Sequence, residues 1–172
     1  RDWEDFVVHR RESALTEFVN GGLLTARVAE ELTNLLDEAT DASGRSQCVV
    51  VHGDLGGSGN FLLGGTDGEW RIDYLIDFGD ARIGVRDYEW MPLWLGFFDR
   101  NAETMRAFIE AYDPSLLSDG DLPRRVMAWT FLHAYSEMPV AELLQRTDTP
   151  MPVQTLEELH RVLWPNLESL VS

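Results

Sequence analysis

The sequence predicts an α+β domain, mostly α-helical, in which a small β-hairpin region presents two acidic loops. Three observations predict it. Apolar residues recur at helical spacing before residue 40 and again after residue 86. Between them lie a short β-branched run, Cys48-Val49-Val50-Val51, and two apolar stretches flanking Gly64-Gly65-Thr66-Asp67-Gly68. Two aspartates, Asp54 and Asp77, each stand just behind one of these strand patterns.

The elements follow in order. Trp3, Phe6, Val7, Leu15, Phe18 and Val19 predict a first helix over 2–19, with Asp2 as its N-cap and Gly21-Gly22 as its stop. Val28, Leu32, Leu35, Leu36 and Ala39 predict a second over 24–39, closed by Asp41-Ala42-Ser43-Gly44. The Cys48 to Val51 run reads as a buried strand, and Cys48 as a buried, inert thiol. Phe61-Leu62-Leu63 and residues 70–76 are the arms of a hairpin whose second arm delivers Asp77 at its end. Helices are predicted over 86–97, 102–112, 121–137 and 153–170, with Pro114, Pro123, Pro139, Pro150 and Pro152 near their boundaries. Trp90, Trp94, Phe97 and Phe98 read as core, and His133 as a satisfied core or groove histidine.

The 172 residues read as a single domain over 1–172. Thirty acidic residues against 14 basic ones give a net charge of −16, which disfavours nucleic acid and anionic membranes as partners and draws cations. No apolar stretch reaches the length of a membrane span, the opening residues are no signal peptide, and a single cysteine cannot form an internal disulfide, so the chain reads as cytoplasmic. It begins at Arg1 without a methionine, which suggests a portion of a longer chain.

The two acidic loops carry the chemistry. The first reads Val51-His52-Gly53-Asp54-Leu55 and is followed by Asn60; the second reads Leu75-Ile76-Asp77-Phe78-Gly79-Asp80. Phosphoryl transfer needs a carboxylate that orients an acceptor hydroxyl and hard oxygen ligands for magnesium, and these are the right types. Asp54 suits the first task, Asn60 and Asp77 the second. Alone, each would read as a turn former; paired behind strands, they read as a site. His52 is expected to brace its loop, Gly53 and Gly79 to permit tight geometry, and Phe78 to anchor the second loop in the core. Asp80 and Asp87, with Asp73, thicken the negative charge and suit a cationic acceptor, the bland alternative being a solvated acidic face.

These residues resemble the aminoglycoside phosphotransferase family, small-molecule kinases with a protein-kinase-like fold. The resemblance rests on Val51 to Leu55, Asn60, and Leu75-Ile76-Asp77-Phe78-Gly79-Asp80-Ala81-Arg82-Ile83-Gly84. It implies a kinase-like C-terminal lobe that uses ATP and Mg2+ to phosphorylate a hydroxyl of a small, cationic molecule. It places the catalytic base at Asp54 and the metal ligands at Asn60 and Asp77. Glu89, in Asp87-Tyr88-Glu89, stands as counterpart of a later structural acid, and residues 121–137, with Trp129, Phe131, His133 and Tyr135, lie where acceptor sites form.

Two departures qualify this. Neither the glycine-rich phosphate cover nor the lysine–glutamate pair of the family's other lobe can be placed in the chain, so weak ATP binding is expected, with self-association through apolar surface around Leu75, Phe78 and Trp3. Asn60 stands six residues after Asp54 where the family has five, and Gly56-Gly57-Ser58-Gly59 has the composition of a slack, linker-like or engineered insert. The rival reading is a truncated or engineered non-catalytic scaffold or binding module. A metal-dependent hydrolase is a weaker third, since it would need further His or Asp ligands.

Overall fold

The computed structural model describes residues 3–43, 47–66, 68–146, 148 and 150–165. Its helices are α1 (Trp3–Ser13), α2 (Thr16–Asn20), α3 (Ala26–Ser43), α4 (Trp90–Pro92), α5 (Ala102–Tyr112), α6 (Leu122–Leu132), α7 (Glu137–Arg146) and α8 (Leu156–Leu163). Its strands are β1 (Cys48–Val51), β2 (Phe61–Gly64), β3 (Arg71–Leu75) and β4 (Arg82–Val85). The class is α+β and mostly helical, as expected.

The strands form two separate antiparallel pairs rather than one insert. β2 pairs with β3 as the predicted hairpin, Phe61 opposite Leu75 and Gly64 opposite Arg71. β1 pairs with β4, Cys48 opposite Val85 and Val51 opposite Arg82. β4 was not foreseen, because Arg82-Ile83-Gly84-Val85 is short, carries a glycine and lacks a clear alternation. Nor is β1 the buried strand its composition suggests. Of its residues only Val51 is buried, Val50 is 66% exposed and Cys48 is exposed, because a strand in a two-stranded ribbon has little to cover it.

The first predicted helix divides at Ala14-Leu15 into α1 and α2; its expected cap, Asp2, lies outside the described residues, as does part of the 153–170 segment. The predicted 121–137 helix ends at Leu132, and α7 begins afresh with Pro139 in its first turn, where the missing N–H costs nothing. Asn101 caps α5 by accepting from the Thr104 amide at 2.9 Å, and Thr155 caps α8 by accepting from Glu158 at 3.1 Å. Beyond α4 the chain widens into a π-helical turn over Leu93–Phe97, with the Phe98 amide donating to Leu93 O at 2.8 Å.

Aromatic side chains hold the helices together. Trp3 stacks on Trp129 with centroids 5.7 Å apart and meets Tyr88 edge-on at 5.4 Å, so Trp3 is core rather than the exposed patch expected of it. Trp94 stacks on Trp164 at 5.1 Å; its indole N–H donates to Leu163 O, and that of Trp164 to Thr130 Oγ1. Each buried indole is worth on the order of 3 kcal/mol, and its satisfied N–H avoids a desolvation penalty. Among the described residues no helix is long and apolar enough to cross a membrane.

Candidate functional site

The strand pairs bring the two acidic loops together through one histidine. His52, 4% exposed, follows β1, and its Nδ1 accepts from the Asp54 amide at 3.3 Å. That leaves the proton on Nε2, which donates to Ile76 O at 2.8 Å, one residue before Asp77. The Ile76 amide in turn donates to Asn60 O at 3.0 Å. The backbones bearing Asp54, Asn60 and Asp77 are therefore tied into one edge.

Asn60 reaches back to the first loop. Its Nδ2 donates to Asp54 O at 2.7 Å and to Asp54 Oδ2 at 3.1 Å. The expected slackness of Gly56-Gly57-Ser58-Gly59 is not what the structure has. Ser58–Asn60 is a 3₁₀ turn closed by the Asn60 amide on Gly57 O at 3.2 Å, and Gly56 lies so close under Gly96 that a Cβ on Gly96 would stand 2.3 Å from Gly56 O. Seating against the π-helical turn supplies the stiffness that the composition lacks, and the extra residue is taken up in the turn.

Asp77 occupies the left-handed region at φ 65°, which aspartate tolerates better than most residues, and its side chain is exposed. Gly53 is held at φ +82° with Asp80 O only 2.8 Å from where a Cβ would sit, so the loops touch backbone to backbone there. Gly79 follows Phe78 in a short 3₁₀ turn, Phe78–Asp80. Phe78 does not anchor in the core. It is 53% exposed and leans on the His52 ring, centroids 4.7 Å apart, because nothing in the described chain covers that side of the ribbon.

Glu89 lies beneath the first loop. Its Oε1 accepts from the amides of both His52 and Gly53, and burial raises its carboxyl above the usual range, those two donors and the His52 ring pulling the other way and the Asp54 charge adding to the rise. Asp87, taken as a substrate-side acid, is instead spent on structure: it accepts from the Trp90 indole at 2.9 Å and from Arg125 at 2.7 Å. Asp80 is half-buried, and its carboxylate raises the ionisation of the exposed Tyr135 hydroxyl above the usual range. Asp73 pairs with Arg71 on β3 at 2.6 Å.

Sequence reasoning missed the turn between α6 and α7. Arg10 of α1, 9% exposed, donates to His133 O at 2.9 Å, Phe131 O at 3.2 Å and Glu137 Oε1 at 2.9 Å. The turn so fixed sets the buried His133 ring on Tyr88 at 4.2 Å, and the Ala134 amide donates to the Tyr88 hydroxyl at 3.2 Å. The one available signal was Pro139, which forbids a helix running through residues 135–139.

Among the described residues no three His, Cys, Asp or Glu side chains converge as a metal cage. Oxygens at this edge able to meet a cation include the Asn60 Oδ1, left over once Nδ2 is committed to Asp54, and the exposed Asp77 carboxylate. This donor set suits a hard cation whose remaining ligands are phosphate and water. The model of the phosphotransferase enzyme family (APH), whose members generally use ATP and Mg2+, matches residues 9–129, a stretch that contains both loops, Asn60 and Glu89. More than half of the chain is spanned by that match, and the chain belongs to the phosphotransferase enzyme family.

Proposed function

We propose that the chain is the kinase-like C-terminal lobe of a phosphotransferase that moves the γ-phosphoryl group of ATP onto a hydroxyl of a small cationic molecule. The observation that carries this reading is the double tie at Ile76, whose carbonyl accepts from His52 and whose amide donates to Asn60. It makes two acidic loops, 23 residues apart at their aspartates, into one edge. Family membership supports the reaction class, and the net charge of −16 supports a cationic acceptor.

Each residue has a task in this reading. The Asp54 carboxylate, held on Oδ2 by Asn60, keeps Oδ1 to receive or aim the proton of the acceptor hydroxyl. Asn60 Oδ1 and the Asp77 carboxylate are the residues that would hold magnesium. A magnesium ion held there would supply positive charge against the transferring phosphoryl group. His52, Gly53 and Glu89 keep Asp54 aimed, so that little orientational freedom is lost when the acceptor arrives. Asp54, Asn60 and Asp77 are all at least partly open to solvent, as groups that meet a ligand must be.

Calorimetry of Mg2+-dependent ATP binding tests this. The chain is expected to bind at millimolar ATP only when Mg2+ is present, and Asp77→Ala to lose at least tenfold in affinity. Absence of binding in both proteins would favour the non-catalytic scaffold, and equal binding in both would remove Asp77 from the metal.

A further inference from the structure

The π-helical turn over Leu93–Phe97 is fixed by the end of α8. Trp94, fully buried, stacks on Trp164 and donates to Leu163 O at 2.8 Å. Arg100 donates from its amide to Trp94 O at 2.9 Å and from Nη2 to Val162 O at 3.0 Å. To close this way the chain takes two consecutive left-handed residues that are not glycine, Asp99 at φ 46° and Arg100 at φ 60°. Backbone of this kind persists only where its surroundings over-determine it, and both such strain and π-turns concentrate at functional sites.

The same turn carries the segment between Asp54 and Asn60. Gly96 lies against the Gly56 backbone: a Cβ on it would stand 2.3 Å from Gly56 O, 2.5 Å from its Cα and 2.7 Å from its carbonyl carbon, closer than any side chain tolerates. Phe97 packs on Phe61 with centroids 4.2 Å apart, and Phe61 is the residue after Asn60. The segment is gripped at both ends, whereas a Cβ on Gly59, between them, would meet nothing within 4 Å. Glycine is therefore needed at position 96, outside the glycine-rich run, and not at position 59 inside it.

We propose, resting on the phosphotransferase reading above, that Gly96 and Phe97 are positioning residues for Asn60, the residue that would hold magnesium. Gly96 sets how deep the segment sits, and Phe97 fixes where it leaves toward β2. Asn60 Nδ2 then meets Asp54 O and Asp54 Oδ2, and Oδ1 is left for the metal. The loop takes its shape from the turn beneath it rather than from its own composition, so the extra residue of the glycine-rich run costs little order. An alanine at position 96 must push Gly56 away by about 1 Å to restore ordinary contact, more than a well-placed ligand group tolerates.

Two readouts test this, one without metal and one with it. In the metal-free labelled protein, the side-chain amide protons of Asn60 are expected to exchange with water at least fivefold faster in Gly96→Ala than in the parent, and within twofold of the parent in Gly59→Ala. With ADP present, Mn2+ followed by electron paramagnetic resonance is expected to bind at least fivefold more weakly to Gly96→Ala and about threefold more weakly to Phe97→Leu. Amide signals of α3 and α8 that match the parent's verify that each variant folds. Should Gly96→Ala not fold, Phe97→Leu, at a half-buried position, decides by the same two readouts. Parent-like exchange and Mn2+ affinity in Gly96→Ala and Phe97→Leu would overturn the proposal. So would an equal loss in Gly59→Ala, by tracing the effect to chain flexibility rather than to the seat. If the parent itself binds no Mn2+ with ADP, the phosphotransferase reading fails, and the metal-free readout still decides whether the turn positions Asn60.

Discussion

His133, fully buried, and Glu89, half-buried, are titratable side chains on either side of Tyr88 in the packing, and they respond to pH in opposite directions. Burial, and then the charges of Arg10 on α1 and Arg82 on β4, push His133 down to about 3, against which the Gly53 backbone pulls only weakly. The unfolded chain takes up this proton near pH 6.5 while the folded chain refuses it, so stability is complete above that value and falls as the pH falls toward about 3. At 1.36 kcal/mol per unit the loss from pH 6.5 to 5 is about 2 kcal/mol. Glu89 has a raised carboxyl, so whatever its protonated form contributes is present at low pH and lost as the pH rises through that raised value. Urea midpoints measured from pH 7 to 5 should therefore fall less in His133→Gln than in the parent. Parallel curves would show that His133 is not the group refusing the proton. At this scale the sequence was legible for residue type and poor for surroundings: Asp54, Asn60 and Asp77 stand at one edge, yet Phe78 and Cys48 are exposed and Asp87 is locked to Arg125. Burial depends on what lies across from a residue, and no local pattern records that.

The α6–α7 turn packs on Tyr88, the neighbour of Glu89, and a single buried guanidinium holds it. Arg10 replaces the missing helical donors at the end of α6, giving the carbonyls of Phe131, Leu132 and His133 a charged partner. Removing it leaves these acceptors buried and strips Glu137 of its ion pair. Arg10→Met is expected to cost about 3 kcal/mol in urea denaturation. It should also speed amide exchange at His133 to Val140 more than in α8. A loss below about 1 kcal/mol would mean that water satisfies the turn equally well. Elements with strong periodicity and a cap were legible, and α5 falls at 102–112 as its pattern predicts. The α6–α7 break and β4 were not, since the first depends on a partner 122 residues away and the second on a strand 34 positions earlier.

The whole molecule combines a well-filled helical body with an uncovered ribbon. Leu63, Trp70, Ile72, Tyr74 and Phe78 on or beside β2 and β3 are each more than half exposed, and Val50 and Ile83 on the β1–β4 pair add to them. An apolar surface of this extent seeks a cover. Light scattering is expected to show association that rises with concentration, and Leu63→Lys with Ile72→Lys to return the protein to monomer. A monomeric parent across the same range would contradict this.

The central claim, that the loops of Asp54 and Asp77 form one edge for a metal–phosphate group, is tested most directly with Mn2+ and ADP in place of the natural ligands. Paramagnetic broadening in the amide spectrum should be strongest at Gly53, Asp54, Asn60, Asp77 and Gly79, absent along α8, and relieved at both loops together by Asp77→Ala. Broadening confined to one loop, or scattered over the acidic surface and indifferent to Asp77, would contradict it.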